Sequence, residues 1–218
     1  MNLSLETIEL LDLPMMKCPF VGLKYSFVLK NLKTMEIYRC EKLEIVFSAS
    51  VIRCLPQLVS LRIEECKELK HLIEDDLENK IVQSSNTCFP KLETLVVEKC
   101  KKLKCIFKVS ICKEFPELKV LLIREANELE EIFKSELGDK KDEVEEISKS
   151  EVEIPNLKAV GFANLPSLCH AQGVHFQTVE YRFVHSCQKL SLTSATSYNF
   201  DDDIFSYNLG THFAKYCS

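Results

Sequence analysis

The residues best suited to chemistry in this 218-residue chain are eleven cysteines and five histidines. Thiolates and imidazoles bind metals or form nucleophile–base pairs only at suitable spacings, and no C-x-x-C pair of the kind found in zinc and redox sites occurs. Cys169 and His170 are adjacent, and adjacency does not provide the geometry of a nucleophile and its base. No glycine precedes a lysine, as a phosphate-binding loop requires. We therefore predict that the protein is not an enzyme and has no metal, cofactor or small-molecule substrate.

The cysteines instead mark a repeated sequence motif, because four of them occupy the same position in it. The clearest copy, Cys88–Phe107, reads CFPKLETLVVEKCKKLKCIF. Its apolar and cysteine positions are Leu92, Leu95, Val97, Cys100, Leu103 and Ile106, and the equivalent first positions of the other copies are Leu32, Leu58, Leu118, Leu157 and Val179, with a partial copy starting at Leu5. A cysteine at a fixed repeat position is structural, so we expect reduced thiols in a cytoplasmic protein.

Such self-similarity is typical of leucine-rich repeats, in which each unit supplies one short strand and stacked neighbours complete the core. The predicted fold class is α/β: a leucine-rich-repeat solenoid with a curved parallel β-sheet on the concave face and short helices and irregular returns on the convex face. Residues 48–54 and 109–114 are short enough for one or two helical turns. The predicted domain is 1–192, with six to seven irregular repeats and long polar insertions near 74–88 and 134–153.

Residues 193–218 form an irregular tail of small, acidic and aromatic residues. Its composition favours poor order, and the alternative is a cover over the edge of the repeats through Phe200, Phe205 and Tyr207. The net charge is −5, and eight acids with four lysines fall within 134–153, so the remainder is nearly neutral. This balance predicts neither nucleic-acid nor membrane binding, and the first residues do not resemble a signal peptide.

Aligning the copies also brings charged residues into columns that alternate in sign. The residues that follow the strand are Arg39, Glu65, Lys99 and Glu125. Those two residues after the cysteine position are Lys42, Glu68, Lys102 and Glu128, and those two residues further on are Glu44, Lys70, Lys104 and Glu130. Because equivalent residues of stacked units are lateral neighbours, we predict ion-pair ladders that help to fix the register.

Strand alternation predicts which residues point outward on the concave face, where a protein partner would dock. The candidate partner-binding residues are Tyr38, Arg62, Glu64, Val96, Glu98, Val120, Leu122 and Arg124. Val96, Val120 and Leu122 are expected to form a small apolar area beside Arg62 and Arg124. Strand propensity alone is the competing explanation for the valines and the leucine.

The repeats resemble the C-terminal leucine-rich repeats of plant intracellular nucleotide-binding disease-resistance proteins of the coiled-coil class. The segments that carry the resemblance are CFPKLETLVVEKCKKLKCIF, CLPQLVSLRIEECKELKHLIE and EFPELKVLLIREANELEEIF, within residues 32–192. The resemblance implies a protein-interaction module in plant defense that recognises a pathogen effector or a host protein, or restrains a receptor's nucleotide-binding domain. Because the chain lacks that domain, we expect a fragment or a truncated receptor. The alternative is a substrate-recognition subunit of an F-box-type ubiquitin ligase.

Overall fold

The computed structural model describes residues 5–20, 29–52, 54–74, 88–109, 114–134, 152–171, 174 and 179–190. In chain order its elements are β1 (Thr7–Leu11), β2 (Thr34–Tyr38), β3 (Ile45–Ser48), α1 (Ala49–Ile52), β4 (Ser60–Glu64), β5 (His71–Glu74), β6 (Thr94–Glu98), β7 (Cys105–Lys108), β8 (Val120–Arg124), β9 (Glu131–Lys134), β10 (Ala159–Ala163) and β11 (Tyr181–His185). The tail and most of the two predicted insertions lie outside the described residues.

The repeats stack through a seven-stranded sheet of order β1-β2-β4-β6-β8-β10-β11, in which every pair of neighbours is parallel. Its register is the one that the motif predicts, since Leu95 pairs with Leu61 on one side and with Leu121 on the other. The partial first copy follows the same rule, with Ile8 opposite Met35. The predicted leucine-rich-repeat solenoid is therefore confirmed.

The core lies on the face of this sheet that carries the second and fourth residues of each strand. In the central strands these side chains are Leu61, Ile63, Leu95 and Val97, all fully buried. The cysteine position joins the same core, because Cys40, Cys66 and Cys100 are also fully buried. One strand cannot cover its own apolar side chains, so each unit depends on its neighbours for burial.

The return segments form a second parallel sheet, of order β3-β5-β7-β9, which the sequence analysis did not predict. Each of its four-residue strands begins two residues after the fifth motif position, which is Leu103 in the clearest copy, and contains the sixth, Ile106. The strands contain branched and aromatic side chains, which favour strand structure. One turn of helix, α1, falls within the predicted 48–54, whereas most of the predicted helix at 109–114 lies outside the described residues.

Phenylalanine rings join the second sheet to the rest of the core. Phe107 of β7 lies 4.7 Å from Phe115, 5.8 Å from Phe133 and 6.2 Å from Phe89 between ring centroids. Phe89 in turn contacts Phe47 of β3 at 5.7 Å. These tilted and stacked arrangements are the favourable ones for aromatic pairs, so the returns are packed rather than loose.

Each unit leaves the seven-stranded sheet through one residue with a left-handed backbone. These residues have φ between 50° and 58° and are Asp12, Arg39, Glu65, Lys99, Glu125, Asn164 and Ser186. None is a glycine, although non-glycine residues are uncommon in this region. The amide of Glu125, for example, donates to the carbonyl oxygen of Ala163 at 3.0 Å, in the next unit. The same bond joins Lys99 to Arg124 at 2.9 Å, so the turn links consecutive units.

Three of the predicted cross-unit ion pairs form. Lys99 pairs with Glu65 at 2.6 Å, Lys102 with Glu68 at 2.7 Å, and Lys70 with Glu44 at 2.7 Å. These side chains remain between about one-third and one-half exposed, which limits the contribution of each pair to stability. The ladders therefore help register more than they add to the free energy of unfolding.

Candidate functional site: the outer face of the seven-stranded sheet

The candidate site is the face opposite the core, which carries the first, third and fifth residues of each strand and is called the outer face below. All eight candidate partner-binding residues lie on it, within the neighbouring strands β2, β4, β6 and β8. One row across the sheet contains Tyr38, Glu64, Glu98 and Arg124, and the next contains Arg62, Val96 and Leu122, with Val120 in the third. The structure thus brings together residues from four separate repeats.

Glu98 is the centre of the charged half of the outer face. Its Oε2 accepts a hydrogen bond from Arg124 at 2.9 Å and lies 3.8 Å from Nη2 of Arg62. Arg62 also donates to Glu64 at 3.3 Å. Only 4% of Glu98 is exposed, and a buried carboxylate of this kind depends on its cationic partners. Arg62 and Arg124 therefore stabilise the buried negative charge of Glu98.

Tyr38 extends this network towards β2. Its hydroxyl donates to Glu36 at 3.1 Å, and the guanidinium of Arg62 lies 5.9 Å from the centre of its ring. Burial is the largest cause that raises the pKa of Tyr38 to about 12, and Glu36 contributes to the rise. The phenol therefore stays protonated and acts as a donor at neutral pH.

The other half of the outer face is an apolar patch formed by Val96, Val120, Leu122 and Ala159. The sequence predicts exposed side chains at the first three of these positions and at Glu98, and that expectation is wrong. Between 1% and 4% of each patch residue is exposed. Neighbouring strands lie about 4.8 Å apart, so side chains in one row cover each other's flanks. The residue pattern of a single strand does not reveal this lateral covering. Their role in partner binding stays a prediction.

The patch continues onto β10 and β11, which the candidate set omitted. Gly161 lies opposite Leu122, and Phe183 lies opposite Gly161. A Cβ atom on Gly161 would be 2.6 Å from Cδ2 of Leu122, so the glycine makes room for that leucine to lean across the strand. The alternation rule that identified Val96 also applies to these two weaker copies, so the sequence contained the signal.

Three thiols of the repeat positions, those of Cys40, Cys100 and Cys187, have raised pKa values and are poorly suited to nucleophilic chemistry. The nine described cysteines are all free. The contact with the Cys66 thiol, followed by burial, raises the pKa of Cys100 well above its usual range, and burial raises the pKa of Cys187 to about 11. Because the thiolate is the reactive form, a raised pKa makes these thiols unreactive as nucleophiles near neutral pH.

Two cysteine–histidine combinations can be compared directly. The thiol of Cys169 donates to the carbonyl oxygen of Ser167 at 3.2 Å. Cys105 and His71 are neighbours in the second sheet, with Sγ and Nδ1 4.0 Å apart, a contact between repeats that sequence spacing did not reveal. Cys105 is 2% exposed and burial lowers the pKa of His71, so this pair has the character of a packed contact.

The described ranges contain neither a candidate metal site nor a candidate membrane-spanning helix. No three or more histidine, cysteine, aspartate or glutamate side chains there are grouped so that they could hold a metal ion. Likewise, no helix in those ranges is long and apolar enough to cross a membrane.

Comparison with known protein families gives one match that covers most of the chain. Residues 1–67 and 67–199 match the family described as plant disease resistance protein RPS2-like, leucine-rich repeats. No curated protein and no solved structure matches the chain. The family match covers the strands of both sheets, including the outer face.

Proposed function

The chain belongs to the RPS2-like leucine-rich-repeat family of plant disease resistance proteins, and on that premise we propose that its outer face is a protein-docking surface used in plant defense. The partner is a pathogen effector, a host protein or the nucleotide-binding domain of a receptor. The observation that supports this proposal most directly is that Tyr38, Arg62 and Arg124 lie on one face of the sheet, beside an apolar patch. Tyrosine and arginine are the side-chain types that most often dominate protein interfaces.

The accessible parts of this face favour a polar first contact. The side chains of Arg62 and Arg124 are 26% and 22% exposed, so a partner carboxylate can reach them without disturbing the core. One face of the Tyr38 ring is already partly covered by the guanidinium of Arg62. The family match supports the defense function rather than the ubiquitin-ligase alternative, and the free thiols support a reducing compartment such as the cytoplasm.

The experiment is affinity capture from plant extract with the full chain, followed by binding measurements with each purified partner that is recovered. Tyr38→Ala and Arg62→Gln are expected to weaken a specific partner about tenfold each, as central interface residues do. The matched control is Lys101→Gln, which removes the same charge from an exposed turn. Recovery of a ligase scaffold, or equal binding by the outer-face variants and the control, would refute the proposal.

A further inference from the structure

The edge strand β1 exposes apolar side chains at one end of the seven-stranded sheet. Four large hydrophobic residues of the β1 unit, residues 5–16, are between 37% and 72% exposed: Leu5, Leu11, Leu13 and Met15. The two core-facing residues of β1 are only half-buried, whereas Met35 and Ile37 at the same positions of β2 are fully buried. A layer of the core is therefore open at this edge, and stacked repeats need a cover over such a layer.

The backbone of β1 has hydrogen-bonding groups for a second neighbour. β2 pairs with one side of β1, and no strand of the described ranges pairs with the other side. In β2 the amide of Thr34, the first strand residue, donates to the carbonyl oxygen of Glu6 in the preceding unit at 3.0 Å. The equivalent amide of Thr7 therefore points away from β2, and alternation along the strand puts the amides of Glu9 and Leu11 on the same free side. Such an edge is a template for another strand.

The β1 unit carries negative charge only. Its three acids, with no lysine or arginine among residues 5–16, are Glu6, Glu9 and Asp12. The next unit supplies cations to two of them. Lys33 lies 3.1 Å from Glu6, and Arg39 lies 2.6 Å from Asp12. Because opposite charges in one row stabilise a strand pair, a strand on the free side of β1 fits best when it carries cations at these positions.

Glu9 adds a second reason for a cationic partner. It is exposed, and in the β1–β2 register it lies opposite Glu36. Like charges directly opposite each other destabilise a strand pair. Glu36 accepts a hydrogen bond from Tyr38, whereas Glu9 forms no ion pair with any residue that the structure describes. A lysine or arginine on the free side of β1 would reduce the repulsion between the two glutamates.

A second copy of this chain is a poor match for the same edge. Antiparallel pairing of two β1 strands about their centre would place Glu9 beside the Glu9 of the second copy. Pairing with β11 of a second copy, in the register of the stack, would place Glu180 beside Glu6 and Arg182 beside the apolar Ile8. Both arrangements oppose like charges, and the second also puts a cation against the core layer.

We propose that β1 binds a strand of another protein, added in parallel and in the register of the repeats. This strand carries apolar residues beside Ile8 and Leu10, where they complete the open core layer. It carries lysine or arginine beside Glu6, Glu9 and Asp12. Main-chain hydrogen bonds supply affinity in such strand addition, and the alternate side chains supply specificity. The site does not rest on the docking role proposed for the outer face.

The probe is a fluorescein-labelled peptide with the sequence of residues 30–43 and the change Glu36→Lys. In the fold this sequence pairs with β1 from the other side, and its Lys33 and Arg39 supply cations at the required positions. Fluorescence anisotropy with the full chain should show saturable binding. A peptide that also carries Lys33→Glu and Arg39→Glu should bind about tenfold more weakly, because two attractions become repulsions.

Glu9→Pro tests whether the peptide binds at this edge. Proline removes the amide on the free side of β1, and edge strands tolerate proline whose missing N–H faces solvent. Peptide binding should weaken at least about tenfold, since strand addition depends on main-chain hydrogen bonds. Glu9→Gln, which loses only the charge, should weaken binding about two- to fivefold. The matched control is Glu117→Gln, the same change at another exposed glutamate, and it should bind the peptide like the unsubstituted chain.

N-methylated peptides repeat the test without changing the protein, so it remains decisive if Glu9→Pro does not fold. Methyl groups on the amides of the Met35 and Ile37 positions, which would face β1, should abolish binding, whereas methyl groups at the Thr34 and Tyr38 positions should not. Equal binding by the two methylated peptides, equal binding by Glu9→Pro and Glu9→Gln, or no saturable binding overturns the proposal. So does a dimer of the chain alone, in sedimentation, that Glu9→Pro converts to a monomer, because the occupant is then a second copy.

Discussion

The left-handed residue that ends each strand gives the sharpest test of the fold, and Glu125 is the best position for it. Its φ is 54°, and its amide donates to Ala163 in the next unit, so it is held in this conformation at the centre of the stack. A β-branched side chain is strongly disfavoured there, because its second γ atom crowds the backbone. Glycine adopts the same φ without a steric penalty.

Glu125→Val should therefore lower the free energy of unfolding by about 1–2 kcal/mol. Glu125→Gly should be close to neutral, since relief of the left-handed penalty offsets about 0.5–1 kcal/mol of backbone entropy. Equilibrium urea unfolding followed by circular dichroism measures both. With a slope of about 2 kcal/mol per molar urea, the valine variant should unfold at about 0.5–1 M less urea than the glycine variant.

The control is Glu128→Val, the same chemical change at an exposed turn residue outside the left-handed set. As a surface substitution it should change stability by no more than about 0.5 kcal/mol. Glu125→Gly loses the same carboxylate as Glu125→Val, including its 3.9 Å contact with Arg124, so the difference between these two variants isolates the backbone. Two outcomes would contradict the prediction: equal urea midpoints for Glu125→Val and Glu128→Val, or a Glu125→Gly variant as unstable as Glu125→Val. Either would show that the left-handed backbone does not lower the free energy of unfolding of the valine variant.

Three further predictions follow from individual contacts. Lys102→Glu should destabilise the protein by about 0.2–1 kcal/mol, with recovery on adding Glu68→Lys, and additive effects in urea unfolding would contradict the ladder. Gly161→Ala should lower the free energy of unfolding by about 1–3 kcal/mol because the new methyl meets Leu122. Adding Leu122→Val should restore part of this stability, and a double variant as unstable as Gly161→Ala would contradict the contact. Cys187 is half-buried, and its pKa of about 11 predicts that it is alkylated about 200-fold more slowly at pH 8 than a free cysteine, with the rate rising about tenfold per pH unit. Peptide-resolved mass spectrometry measures the rate, and a rate equal to that of free cysteine would contradict the raised pKa.

The sequence was most informative about which residues share a row. The spacing of leucines defined equivalent positions such as Leu61, Leu95 and Leu121, and the side-chain period of two then assigned their neighbours to the outer face. A slip of one residue would move every apolar side chain to the wrong face, so the pattern determines the register strongly. The strand register puts all eight candidate residues on the outer face, and their role in partner binding stays a prediction.

Exposure on that surface could not be obtained in this way. Whether Glu98 is buried depends on Arg62 and Arg124, which belong to the units on either side of it, separated from it along the chain. The position of Leu122 likewise depends on Gly161, a residue from a later copy. Pairwise contacts between repeats decide these quantities, and a motif read one unit at a time does not contain them.

By itself the sequence determined the stacking of the repeats, their shared register and their family, because apolar periodicity fixes which side chains must be buried together. The tertiary structure alone decided the second sheet and the left-handed strand ends. Four-residue runs such as Cys105–Lys108 are too short to form a strand without partners on both sides. A charged residue such as Glu125 takes a positive φ only because the next unit accepts its amide hydrogen bond, and that acceptor exists only in the assembled stack.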